Sequence, residues 1–182
     1  MGLTLSLPTQ GVSTSWGTTV NAALNAINNA DQFKLKTATD TRTTTTLTDD
    51  THLAAMTLNA GTWLIEMGLL ASGPQAGDIK VAWAFLGTTT TAVRGGAGPS
   101  SGVTGTVLTA SIPRFAAAAD TAGTITASTA YGLDGTNWTW IIEKGVLVVT
   151  VSGIFKIQHA QLAASGTTTI QAGSYLWARQ VA

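Results

Sequence analysis

From residue 33 onward, apolar and polar side chains alternate with a period of two. Ile79, Val81, Trp83 and Phe85 are interleaved with Lys80, Ala82 and Ala84, and Trp63, Ile65, Met67 and Leu69 with Leu64, Glu66, Gly68 and Leu70. Trp138, Trp140 and Ile142 share one parity, as do Leu147, Val149 and Val151; Phe155 and Ile157 continue the pattern, and Tyr175, Leu176 and Trp177 close it. Successive side chains of a strand point to opposite faces, so this period predicts strands. Weaker runs at 42–47, 57–58, 103–112 and 124–128 predict further ones. Turn residues punctuate them at Asn59-Ala60-Gly61, Ser72-Gly73-Pro74, Asp134-Gly135 and Ser165-Gly166. Glu143-Lys144-Gly145, between two strong runs, predicts a short hairpin. The Gly, Ser and Thr of 87–105 predict a long surface loop, and Ala116 to Ala119 reads as filler. Roughly eight to ten antiparallel strands amount to a β-sandwich or jelly roll.

Residues 1–32 follow a different grammar. Leu5 to Gly11 reads as an extended arm that Pro8 keeps out of helix. Ser13, Thr14 and Ser15 then offer capping hydroxyls, and Trp16, Val20, Ala23, Leu24, Ile27 and Ala30 recur at spacings of three and four. These place one apolar stripe on a helix of about four turns. Its other face, with Thr19, Asn21, Asn25, Asn28 and Asn29, is poor helix material, so packing must hold it. The stripe can dock on its own domain, on copies of itself or on a partner. The chain therefore divides into an attachment arm with an amphipathic helix (1–32) and a β domain (33–182).

Composition narrows the function. The 182 residues suffice for one domain with a sizeable core. Nine Lys plus Arg balance nine Asp plus Glu, which leaves no field to attract nucleic acid or an acidic membrane. No apolar run is long enough to span a bilayer, and the first residues lack the look of a signal peptide. Only 10% of residues are charged, so the polar surface is mostly hydroxyl and amide. Permanent assembly is one way for such a surface to stay in solution. Cysteine is absent, which removes disulfides and thiolate chemistry and suits folding in a reducing cytoplasm.

The inventory for catalysis is thin. Of the two histidines, His52 follows Asp49 and Asp50 and reads as part of a solvated turn; a metal site there would need a third ligand from elsewhere. His159 shares parity with Phe155 and Ile157 and reads as a hydrogen-bonded histidine at a sheet face or interface. Glu66 and Glu143 lie in apolar strands, either as exposed or lysine-paired residues or as a raised-pKa acid across a cleft. No catalytic, cofactor-binding or metal-ligating set is expected. Trp63, Trp83, Trp138 and Trp140 suit core or subunit packing; an aromatic platform for sugars at Trp138 and Trp140 is the alternative.

Two segments resemble structural proteins of tailed bacteriophages. Leu7-Pro8-Thr9-Gln10-Gly11, followed by Ser15-Trp16-Gly17-Thr18-Thr19-Val20-Asn21-Ala22-Ala23-Leu24-Asn25, is similar to a leader of small fibre, tail and head-fibre proteins. The order Gly61-Thr62-Trp63-Leu64-Ile65-Glu66, Gly145-Val146-Leu147-Val148-Val149-Thr150, Gln158-His159-Ala160-Gln161 and Gly173-Ser174-Tyr175-Leu176-Trp177-Ala178-Arg179 resembles phage domains related to the C1q and tumour-necrosis-factor jelly rolls. The resemblance implies a homotrimeric virion protein without catalysis: a capsid decoration or head-fibre protein bound to the major capsid protein, or a tail-fibre head that recognises a host surface glycan. It implies attachment or assembly through Leu7, Pro8, Trp16, Val20, Leu24 and Ile27. Trp138, Trp140, Phe155, His159, Tyr175 and Trp177 are the expected trimer-interface or surface-contact residues.

Overall fold

A computed structural model of the chain describes residues 20–21, 31–102, 118–120, 127–135 and 137–181, with 118–120 described for the backbone alone. Among these residues the strands in chain order are β1 (Asp31–Leu35), β2 (Asp40–Arg42), β3 (Thr48–Asp49), β4 (Met56–Leu58), β5 (Gly61–Ser72), β6 (Ile79–Phe85) and β7 (Thr88–Ala97). There follow β8 (Ala118–Asp120), β9 (Thr129–Tyr131), β10 (Thr139–Val151), β11 (Gly153–Gln161), β12 (Thr168–Ile170) and β13 (Tyr175–Gln180). Val20 and Asn21 are helical, Val20 half-buried; Leu7, Pro8, Trp16, Leu24 and Ile27 lie outside the described residues, as does the run at 103–112.

Every pairing is antiparallel. An eight-stranded sheet runs β1-β13-β5-β10-β7-β8, with β12 joining β2 to β5; a five-stranded sheet runs β3-β11-β6-β9, with β4 also on β11. The two sheets share one core, so the molecule is a β-sandwich. From the large sheet come Trp63, Ile65, Met67, Leu69, Ile141, Leu147 and Leu176; the small sheet answers with Met56, Ile79, Val81, Trp83, Phe155 and Ile157. Trp83 meets Phe155 edge-on with centroids 5.3 Å apart. Each such side chain contributes about 1.5–3 kcal/mol by leaving water.

Three expectations are overturned. Glu143-Lys144-Gly145 is no hairpin but the middle of the 13-residue β10. Gly145 stands there because a Cβ would come within 2.8 Å of the Trp83 ring, which fills the space beneath the strand. Residues 88–97, read as loop, form β7, which pairs with β10 from Thr88 opposite Val151 to Ala97 opposite Ile142. The threonine run supplies β-branched strand residues. Ala118 and Ala119, from the run read as filler, belong to β8 along β7. The strand expected at 42–47 is not formed beyond Arg42, the last residue of the short β2, and β1 opens at Asp31, two residues ahead of the expected domain start.

Candidate functional site

The large sheet is apolar on both faces. Its outer face, away from the core, takes the even residues of β5 and β10, the odd residues of β1 and β13 and, from Thr91 onward, the odd residues of β7. Their register forms cross-strand rows. One is Leu35, Tyr175, Gly68, Ile142 and Ala97; the next is Phe33, Trp177, Glu66, Lys144 and Gly95; a third is Asp31, Arg179, Leu64, Val146 and Val93. Leu70 stands opposite Trp140 at the end of β10. Exposure is high for large apolar groups: 61% for Phe33, 53% for Leu35, 42% for Trp140 and 64% for Trp138 just ahead of β10.

Aromatic rings run across this face. Phe33 stacks on Tyr175 at 5.9 Å and Trp140 leans on Tyr175 at 6.2 Å. Gly68 lies beneath them, where any side chain would collide with both Tyr175 and Trp140. The polar groups pair among themselves. Tyr175 donates to Glu66 Oε1 at 2.6 Å, Lys144 Nζ lies 2.8 Å from Glu66 Oε2, and Trp177 Nε1 donates to Asp31. The hydrogen bonds of Lys144 and Tyr175 hold the Glu66 carboxyl below its usual range, while burial and Glu66 push the Tyr175 hydroxyl up to about 12. By contrast the small sheet turns Lys156 and Gln158 outward onto Asp49, at 2.7 and 2.8 Å.

Of the expected contact residues, Trp138, Trp140, Tyr175 and Trp177 fall on or beside this face. Phe155 and His159 do not: both are fully buried within the chain's own sandwich. Their odd parity on β11 turns them to the core, so neither reaches a surface. Phe33, Leu35, Leu64 and Leu70 lie on this face too, beyond the expected contact residues. The available signal was that β5 and β10 are apolar at both parities, as for strands covered on both sides.

A second feature is a buried ionic cluster where the β1–β2 side of the large sheet meets β3 and β11. Lys36, which continues β1 by donating its backbone N–H to Ser174 O at 2.7 Å, places Nζ 2.7 Å from Asp50 Oδ2 with neither side chain exposed. Asp50 Oδ1 accepts from the backbone N–H of His52 and of Leu53, both at 2.9 Å. His52 Nδ1 lies 3.4 Å from Lys36 Nζ and 2.9 Å from the Thr51 hydroxyl. Asp40 takes both Arg42 terminal nitrogens and the Thr51 N–H.

His159 Nε2 is 3.6 Å from Asp40 Oδ2 and from Asp50 Oδ2, and neither ring nitrogen has a hydrogen bond. Burial, then the Arg42 and Lys36 cations, bring its pKa down to about 4 against the pull of the two carboxylates. The ring is neutral at pH 7. Asp40, Asp50 and His159 present ligand atoms within 4.8 Å of one another, the donor set of a divalent ion. Lys36 and Arg42 already neutralise both carboxylates, so charge balance favours the ion pairs over a metal. Asp50, expected at a solvated turn, is thus interior.

Glu143 is also interior, neither exposed nor lysine-paired. Tyr131 donates to its Oε1 at 2.7 Å and Arg94 lies 3.5 Å away, itself bonded to Val81 O and Thr129. Burial raises the Glu143 pKa against the pull of Arg94, and among the described residues its side chain is enclosed. A shallow depression of about 480 Å³ lies elsewhere, lined by Gln75, Ala76, Asp78, Ser101, Gly102 and Leu162. The Asp78 carboxylate there is occupied by the N–H groups of Gly102 and Leu133. Compared with protein-family models and with curated proteins, the chain matches none.

Proposed function

We propose that the chain is a structural protein of a tailed-bacteriophage particle, a homotrimeric jelly-roll unit that decorates the capsid or forms a short head fibre. In this reading the N-terminal arm and helix bind the major capsid protein, and the function is structural, without catalysis, cofactor, nucleic acid or membrane. The observation that carries the assembly is the apolar outer face of the large sheet. A sheet face built from Phe33, Leu35, Tyr175, Trp177, Trp140 and Ile142 gains by leaving water, and permanent interfaces have this character. Sister copies are the occupant that suits it. The Glu66 and Asp31 carboxylates are engaged within the chain and the net charge is zero, so identical faces meet without like-charge repulsion. The two segments that resemble phage leaders and jelly rolls point the same way. Native mass spectrometry should give three chains, and purified particles should carry the protein in many copies around the head. A clean monomer at micromolar concentration defeats the proposal.

One observation favours a second reading, a tail-fibre head that binds a host surface glycan. Trp138 is 64% exposed, directly after a turn that Asn137 ties to Asp134, and an indole face of this kind stacks on sugar rings. Loss of binding to host glycans in Trp138→Ala, together with a low copy number at the tail, would select this reading.

A further inference from the structure

The geometry points to a covalent cross-link: we propose that Lys36 and Asp50 condense spontaneously into an intramolecular isopeptide bond that staples the two sheets together. The inference does not depend on the virion reading. Lysine is almost never fully buried unless paired, and here its Nζ sits 2.7 Å from a carboxylate that is equally enclosed. A buried ion pair carries a desolvation cost that its attraction often fails to offset. An amide at the same place removes both charges.

The surroundings match what the condensation needs. Asp50 Oδ1 receives two backbone N–H groups, from His52 and Leu53 at 2.9 Å. They polarise the carbonyl and stabilise the negative charge that develops on Oδ1 when nitrogen attacks, as an oxyanion hole does. His52 Nδ1, 3.4 Å from Nζ, accepts a proton from the amine. His159 Nε2, unpartnered and 3.6 Å from Oδ2, faces the oxygen that departs and, as a neutral ring, can steady it with an N–H. Nζ swings from Oδ2 onto the face of Cγ, the Nζ–Cγ bond forms and the Cγ–Oδ2 bond breaks. Of the three ammonium protons, two leave with Oδ2 as water, one passed directly across the 2.7 Å contact between Nζ and Oδ2 and one by way of His52, and the third remains on the amide. Both imidazoles end in their starting state, and no oxidant or co-reactant is consumed. Enclosure holds the reactants in register and keeps bulk water from the product.

The cross-link is read by peptide mass mapping of the folded full-length protein. Trypsin cuts at Arg42, between the two residues, so a cross-linked chain yields one branched peptide, lighter by one water than its two parts. Near-complete conversion is expected in the wild type and none in Lys36→Arg. His52→Ala should lower the converted fraction at least several-fold at early times after synthesis while the wild-type circular dichroism is kept. Asp50→Asn would release ammonia in place of water, so any cross-linked product has the same mass as the cross-linked wild type. Separate, unmodified peptides from folded wild-type protein overturn the proposal. So does one equivalent of a divalent ion found by elemental analysis, because the cluster would then be a metal site.

Discussion

His159 is enclosed, without a hydrogen bond, among Asp40, Asp50, Arg42 and Lys36. In the unfolded chain its pKa is near 6.5, whereas in the fold it is about 4. Between those values the unfolded state binds a proton that the folded state refuses, so stability is complete above about pH 6.5 and declines on acidification. The loss approaches roughly 3 kcal/mol near pH 4, and urea midpoints at pH 7 and pH 4.5 should differ accordingly. His159→Gln should flatten this slope. Asp40 adds to it at lower pH: burial opposes its ionisation, but Arg42 and the Thr51 N–H hold its pKa at about 2. The stability it contributes is present above pH 3.8 and fades as the pH falls through 2. At the other buried pair, Arg94→Met leaves Glu143 without its cation and should cost about 3–5 kcal/mol in equilibrium denaturation. None of these clusters was legible in the sequence. Lys36, Asp40 and Asp50 each look like ordinary surface residues in polar stretches, and only the pairing of β11 with β3 brings His159 beside them.

At the scale of the element, β10 is the strand on which the large sheet turns, flanked by β5 and β7 over most of its length. Gly145 lets it pass over Trp83 and beside Val93. Gly145→Val should therefore overpack both and destabilise by at least about 2 kcal/mol, read as a lower urea midpoint with the strand content kept. The alternation of Trp63 to Leu69 and of Leu147 to Val149 identified β5 and β10 from sequence, since strand period is set by backbone geometry. Glycine was the source of error. Next to lysine or in tandem it reads as a turn, but Gly145 and Gly96 mark places where a Trp83 or Tyr131 ring occupies the room of a side chain. Local sequence does not distinguish a turn from such a gap. Nor does it say which face of β5 is interior when Leu64 and Leu70 mirror Ile65 and Leu69.

At the scale of the whole molecule, β7 and β8 are the one pair among the described strands that are both consecutive and bonded to each other. The other ladders join distant parts of the chain. Such topology closes large loops before contacts reward them, so refolding on the order of milliseconds to seconds is expected in stopped-flow fluorescence. In the proposed assembly the outer face of the large sheet is the surface that meets sister copies. Ile142→Glu should thus disperse the oligomer in sedimentation while the single chain still unfolds cooperatively; an oligomer that survives it would place the interface elsewhere.

The edge position of β1 has a mechanical consequence. Among the described strands its backbone ladder is made with β13 alone, with Asp31 opposite Arg179 and Leu35 opposite Tyr175. Tension arriving from the amino-terminal side peels this strand away rung by rung, the weak mode of loading, in contrast to shear, which strains all rungs at once. The tear travels toward Lys36, and there the clamp onto Asp50 is placed to stop it before the sandwich opens.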